Sequence, residues 1–282
     1  MSADVAMRER AEPTITSSGP DDWTNGMNRA GRDVAWYQKN LNKVPKIALE
    51  IFREYSGIPD EKVMEHIYKV RDKAWDMQPI YPEVLRRIRA GETFLDLGCC
   101  FGQDIRKLVY DGAPSANIIG VDSEARFLNL GHELFRDRGT LDAHFAAGDV
   151  FAPDFLIDFR GKIDIIFLGS FLHLFSYEQQ EVIVTQLTKL LRNKPGSLVF
   201  GRHMATTGRG GLLSANACGW SLYHHSTETI RTVFESTSGE FKWDVSSELV
   251  PYASESWDNG SKWQGSDGSD EIKQQRFVAR LL

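Results

Sequence analysis

Residues Phe94-Leu95-Asp96-Leu97-Gly98-Cys99-Cys100-Phe101-Gly102-Gln103-Asp104 constrain the fold more than any other stretch. An apolar run ends in an acid and two spaced glycines, after which Ile105, Leu108 and Val109 set a helical period. That order is strand, tight turn, helix, with small residues where a ligand can approach the backbone and free N–H groups at the helix start. In open α/β sheets such a turn borders the crevice at the carboxyl ends of the strands. The dinucleotide fingerprint needs Gly at its first, third and sixth positions. Counted from Gly98, those fall on Gly98, Cys100 and Gln103, so that reading fails, and no Gly-Lys-Ser/Thr follows for a Walker loop.

Around this stretch, strands and helices alternate, which predicts an α/β chain with a doubly wound parallel sheet. Strands are expected at Phe94–Leu97, Asn117–Val121, Ala143–Ala147, Ile163–Leu168 and Ser197–Gly201, then at Phe241–Val250 and Gln275–Leu281. Ser176 and Gln179 form a capping box for a helix over Tyr177–Leu191, and Ser226 opens another through Ser236. Met204–Gly219, rich in Gly and Ser, reads as a loop. Residues 1–22 lack periodicity and read as a mobile tail, 23–90 as an N-terminal helical cap, and 91–282 as the core, with 251–272 a lid loop.

Composition excludes several partners. A net charge of −6 with scattered basic residues argues against a nucleic-acid groove. No run of about 18 apolar residues offers a membrane span, and no signal pattern opens the chain. Three cysteines, two of them adjacent, make neither a disulfide framework nor a zinc motif. A cytoplasmic, reducing location is the expectation, with a small molecule as partner and a homodimer compatible.

The remaining pattern, Asp96-x-Gly98-x-x-x-Gly102, resembles the first motif of class I S-adenosylmethionine (SAM) methyltransferases, which usually carry Gly where this chain has Cys100. Further acids stand at the predicted strand ends. Asp122, beside Ser123, lies 20 residues past Gly102 and can accept both ribose hydroxyls. Asp149, followed by Val150 and Phe151, can accept from an adenine amino group beneath an apolar cover. Asp96 would orient the methionyl ammonium, the backbone from Gly98 through Cys99 and Cys100 to Gly102 would lie against the ligand, and Gln103 and Asp104 would meet its amino-acid end. Each acid has a plainer reading as a turn residue; their common order along the strands favours one nucleoside site. Gly169 and Ser170 can pass close to the sulfonium. His173, His203 and His225 are candidate catalytic residues, each equally able to serve as a packed or capping residue. Trp75, Tyr81, Phe171, Trp220 and Tyr223 are candidate acceptor contacts, with His224 between the last of these and His225.

A closer resemblance rests on Tyr81-Pro82-Glu83, the Cys-Cys turn, Asp111-Gly112-Ala113-Pro114, Gly161-Lys162-Ile163-Asp164, Phe171-x-His173-Leu174-Phe175 and Lys194-Pro195-Gly196-Ser197-Leu198. Together they resemble fungal secondary-metabolite methyltransferases, whose better-known members methylate carboxyl groups of polyketide–terpenoid intermediates (meroterpenoids). The resemblance implies a Rossmann-like class I methyltransferase fold with a seven-stranded mostly parallel sheet, and SAM as cofactor at Asp122 and the Asp149-Val150 pair. Two departures border the expected acceptor pocket: the stretch from Trp75 to Tyr81 is short for the family, and His203 stands where Gln is usual. The expected reaction is O-methylation of a lipophilic acceptor at a carboxyl or hydroxyl group. A carboxylate needs no general base, whereas a phenol gains from a nearby His. The rival readings keep SAM but use it for cyclisation or isomerisation, or for regulatory binding without transfer.

Overall fold

A computed structural model describes residues 49, 53, 59–63, 79–213, 222–237, 239–251 and 271–282. The predicted tail, most of the helical cap, most of the lid loop, Trp75 and Trp220 lie outside the described residues. Elements are numbered here in chain order among the described residues.

Helix α1 (Tyr81–Arg89) opens with Pro82 in its first turn and Glu83 beside it, and ends on Arg86, Arg87 and Arg89. Pre-set φ at the start and opposite charges at the two ends suit the helix dipole. Its apolar side sinks Val84 and Ile88 into the core. Glu83 meanwhile accepts both arms of the Arg280 guanidinium, at 2.8 and 3.0 Å, from the last strand.

Strands β1 (Phe94–Leu97), β2 (Ile118–Asp122), β3 (His144–Ala147), β4 (Ile165–Gly169) and β5 (Leu198–Thr206) run parallel. Helices α2 (Gln103–Tyr110), α3 (Ala125–Phe135) and α4 (Tyr177–Leu190) lie between them in sequence. Strand β9 (Ile272–Leu281) enters antiparallel between β5 and β8 (Trp243–Val250), giving the order β3-β2-β1-β4-β5-β9-β8. The chain therefore leaves β1 toward β2 and returns to β4 on the other side. This reversal opens a crevice above β1 and β4, the standard ligand position in such sheets.

Each face of the sheet has its own core. One packs Ile105, Leu108 and Leu128 of α2 and α3 with Val84 and Ile88 against Phe94, Phe167 and Phe200. The other packs Ile183 and Leu187 of α4 and Val233 and Phe234 of α5 (Thr229–Thr237) against Leu95, Ile166 and Phe277. Burial on both faces explains why β4 reads as a continuous apolar run, and β1 as one interrupted only by Asp96, rather than as alternating strands. The capping box forms as expected, with Gln179 N donating to Ser176 Oγ and Ser176 N to Gln179 Oε1.

Two expectations need correcting. Strand β5 does not stop at Gly201; it runs to Thr206, held by pairing with β9 from Leu198↔Arg280 to Thr206↔Ile272. Arg202 and His203 thus lie within a strand, and β9 takes up Ile272, which the lid loop was expected to include. The Gly- and Ser-rich stretch also holds a short strand, β6 (Gly211–Leu213), paired antiparallel with β7 (Leu222–His224). Turn-forming composition masked a pairing whose partners lie elsewhere in the chain.

Candidate cofactor and acceptor site

The parallel register sets the predicted acids along one edge. Asp122 pairs with Ala147 just before Gly148-Asp149, and Leu97 pairs with Val121 just before the glycine turn. Gly98 N and Cys99 N both donate to Val121 O, at 2.8 and 3.0 Å, so the turn folds back over β2. Within it, Gly98 (φ 77°), Cys100 (φ 51°) and Gly102 (φ 65°) all take the left-handed conformation. Arg106 locks the turn from α2: its guanidinium donates to Phe101 O and Gly102 O at 2.7 and 3.1 Å and pairs twice with Asp137. Asp122 accepts from Cys100 N at 2.9 Å and from Glu124 N at 3.0 Å. Each of its oxygens keeps a further lone pair. Asp149 is exposed and accepts from Phe151 N at 2.9 Å.

Asp96 and Asp104 differ from these acids. Both are buried, and Asp96 Oδ2 and Asp104 Oδ1 have no hydrogen-bond partner among the described residues. Burial, then the nearby charges of Asp104 and Asp122, pushes the Asp96 carboxyl well above its usual value against the pull of Arg202. Burial likewise raises Asp104, opposed by Arg202 and by the Gln103 amide that donates to it at 3.2 Å. Burial makes each carboxyl hold its proton more tightly and leaves it an oxygen that a hydrogen-bond donor or a cation could satisfy.

Beside this turn stands an aromatic wall. Phe171 packs on Gly98 and on Phe175, 5.0 Å between ring centroids, and Phe151 meets Phe175 edge-on at 5.5 Å. Ser170, at φ 56°, donates its N–H to Arg202 O at 2.7 Å and turns the chain from β4 into that wall. Tyr223 N donates to Phe175 O at 3.0 Å, joining β7 to it, and Thr206 N donates to His225 O at 3.0 Å, fastening the end of β7 to β5.

Four imidazoles gather behind the wall. The rings of His173 and His224 lie 6.1 Å apart, and those of His203 and His225 5.9 Å apart. Burial lowers His173 and His224 to about 4 and His225 to about 3. It also holds His203 well below its usual value, with the neighbouring imidazoles adding to the effect. All four are neutral at pH 7. His225 has both ring nitrogens engaged, Nε2 with Gln180 Oε1 at 2.6 Å and Nδ1 with Thr229 Oγ1 at 3.0 Å. His203 Nε2 meets Gln275 Oε1 at 2.8 Å. The Nδ1 atoms of His173, His203 and His224 are buried without partners. Tyr81, by contrast, bonds Asp111 at the far end of α2, away from the glycine turn.

Residues 36–82 match the family described as the meroterpenoid methyltransferase N-terminal domain, and residues 94–194 match the methyltransferase domain family. The chain is 37% identical over 239 residues to O-methyltransferase phiE of a fungal species, covering 76% of this chain and 79% of that protein. It is 36% identical over 256 residues to O-methyltransferase atr3 of Stereocaulon alpinum, covering 83% and 73%. Against methyltransferase trt5 of Aspergillus terreus it is 34% identical over 260 residues, covering 82% and 93%. The chain belongs to this family of fungal SAM-dependent methyltransferases.

Solved structures give the methyltransferase the same fold. A 1,6-didemethyltoxoflavin N1-methyltransferase from Burkholderia thailandensis superposes with a TM-score of 0.50 at 17% identity, over 85% of this chain and 92% of that one. The [4+2]-cyclase SpnF superposes with a TM-score of 0.50 at 15% identity, over 70% and 78%. The residues at the crevice fit the cofactor of such enzymes. Asp96 and Asp104 hold orphaned acceptors for an ammonium, and Asp122 has lone pairs to spare for hydroxyls.

Of the predicted contacts, the methyltransferase brings together Asp96, Gly98, Cys99, Cys100, Gly102, Gln103 and Asp122 at one turn, with Phe171, His173 and Tyr223 nearby. Two placements differ from expectation. Gly102 is pressed against Arg106 and Phe145 rather than toward the crevice, and Tyr81 packs at the other end of α2. Asp104 and His224 stand out in the structure more than in the sequence, because only burial shows that their polar atoms are unsatisfied.

Proposed function

We propose that the methyltransferase transfers a methyl group from SAM to an oxygen, carboxyl or hydroxyl, of a lipophilic small molecule made in fungal secondary metabolism. When bound, SAM supplies a methyl group already activated by its sulfonium. In this reading Asp96 and Asp104 take the methionyl ammonium, and Asp122, with Ser123 beside it, takes the ribose hydroxyls. Asp149, Val150 and Phe151 border the adenine, and Gly169 and Ser170 the sulfonium. Phe171 and Tyr223 flank the acceptor; Trp75 and Trp220, expected beside them from the sequence, lie outside the described residues.

The chain's task is alignment and water exclusion, since displacement at an activated carbon is limited by orientation. An acceptor carboxylate is ionised at neutral pH and needs no base. A hydroxyl acceptor would turn its hydrogen toward His173, whose Nδ1 has no partner among the described residues, but burial lowers this imidazole to about 4 and makes it a weak base, which favours a carboxylate acceptor. Cys99 and Cys100 remain thiols in a cytoplasmic setting.

The observation that carries the reading is the pair of orphaned carboxylate oxygens on Asp96 and Asp104 beside the aromatic and imidazole wall. The test is incubation with methyl-tritiated SAM and fungal metabolite extracts. The expected result is a labelled, organic-extractable product formed one-for-one with S-adenosylhomocysteine. Absence of label from every pool overturns the proposal, and turnover without S-adenosylhomocysteine assigns the bound cofactor to cyclisation instead.

A further inference from the structure

Ser226 O, Gln275 and His203 form a chain in which every proton position is determined. Gln275 Nε2 donates to Ser226 O at 3.1 Å, and a carbonyl can only accept, so the amide oxygen must point the other way. That oxygen, Oε1, lies 2.8 Å from His203 Nε2, which must therefore carry a hydrogen. Burial keeps the ring neutral, so it has only one N–H, and Nδ1 is left as a bare lone pair. No group among the described residues donates to it.

The surroundings narrow what can. His203 is buried in β5 with the Phe277 ring 5.3 Å away on one side and His225 5.9 Å away on the other. The groups acting on it electrostatically are the imidazoles of His225, His173 and His224, with Gln275 as its hydrogen-bond partner. His173, from the β4–α4 connection, and His224, from β7, also hold Nδ1 atoms without partners among the described residues. A buried acceptor without a partner carries a desolvation penalty that a ligand donor would remove.

We propose that His203 is a specificity-determining residue whose Nδ1 accepts a hydrogen bond from a hydroxyl group that the methyl acceptor carries. This rests on the methyl-transfer reading above and adds to it a substrate class: hydroxylated acceptors, recognised by a lone pair on a buried imidazole among neutral imidazoles and aromatic rings. A site built to pair with a hydroxyl discriminates strongly against analogues lacking it, because the buried partner is left unpaired. His203→Phe removes the lone pair and fills the space, whereas His203→Gln retains an acceptor oxygen.

The experiment uses matched lipophilic aromatic acids and phenols differing by one ring hydroxyl, with kcat/KM for methyl transfer and calorimetric SAM affinity as readouts. The wild-type enzyme favours hydroxylated members at least about tenfold. His203→Phe loses that preference with SAM affinity unchanged, and His203→Gln keeps part of it. A second readout, on unmutated protein, is the nitrogen NMR signal of the unprotonated His203 Nδ1. It shifts when S-adenosylhomocysteine and a hydroxylated member are added, and stays put with the deoxy partner. Equal preference in wild type and His203→Phe overturns the proposal. So does an Nδ1 signal already shifted without ligand, which would mean a trapped water only. A ligand-dependent Nδ1 shift with no methyl product would instead sink the methyl-transfer reading and leave this site standing.

Discussion

Phe171 lies so close to Gly98 that a methyl group on the Gly98 α-carbon would come within 2.6 Å of its Cδ2. The first glycine of the β1–α2 turn and the first aromatic of the wall beside it are thus one packed unit. Gly98 also sits at φ 77°, where an L side chain is strained. Gly98→Ala is expected to displace Phe171 and weaken SAM binding at least about tenfold, and Phe171→Leu in the same chain restores part of the loss. The pair then couples by more than the about 0.3–0.5 kcal/mol scatter of independent sites. Calorimetric titration of the two single variants and the double variant checks this; additive losses would break the link.

Cys100 occupies the left-handed region at φ 51°, a conformation costing an ordinary residue about 1–2 kcal/mol. Its N–H is spent on Asp122 Oδ2, so the position cannot relax without releasing that carboxylate. Cys100→Gly is expected to match or exceed parent stability, relief of strain being offset by about 0.4–1 kcal/mol of unfolded-chain entropy. Cys100→Val is expected to destabilise, since β-branching disfavours the same conformation. Urea unfolding of both variants decides the matter, and an equal effect of Gly and Val would contradict it.

The sheet was legible in the sequence because burial on both faces makes β1, β2 and β4 largely apolar, with Asp96 one residue before the end of β1, Asp122 ending β2 and Gly169 ending β4. The capping box at Ser176 was legible because its partners sit three residues apart. What stayed hidden depends on pairing at long range. His225 meets Gln180 across 45 residues and His203 meets Gln275 across 72, distances at which no local pattern signals contact. Asp104 is a related case: an acid in the first turn of a helix is expected to satisfy the helix dipole. Only burial distinguishes it from that common role.

Asp96 and Asp104 make stability depend on pH in the direction opposite to most paired carboxylates. Their folded-state affinities for protons are raised above the usual 3.8. Between that value and the raised one, the folded state binds more protons than the unfolded state, so stability falls as pH rises. Asp104→Asn removes one such group, and its thermal stability relative to the parent is expected to improve steadily from pH 4 upward. SAM affinity moves the other way, weakening about 10- to 150-fold for a lost charged hydrogen bond of about 1.5–3 kcal/mol. Melting curves across pH with and without SAM give both readouts; a pH-independent difference in Tm would refute the assignment.

Gln180 is a three-way tie at the centre of the acceptor wall. Wholly buried in α4, it donates to Phe175 O and Tyr223 O, each at 3.0 Å, and accepts from His225 Nε2 at 2.6 Å. With both amide hydrogens committed to carbonyls, the orientation of its oxygen and the tautomer of His225 follow. Gln180→Leu takes the side-chain partner from Tyr223 O and from one imidazole N–H and leaves Phe175 O with the Tyr223 N–H alone, so with about 1–3 kcal/mol for each unpaired group the expected loss is about 2–4 kcal/mol after partial relaxation. Gln180→Glu keeps the acceptor for His225 but, while ionised, turns a carboxylate toward the two carbonyls, so it should be worse than Leu at neutral pH. Protonation restores one donor, and the Glu variant should gain stability relative to Leu as pH falls. Urea midpoints of both variants at pH 5 and pH 8 carry the test. A Glu-to-Leu difference that does not change with pH would mean that the amide hydrogens at this position do not hold the two carbonyls in place.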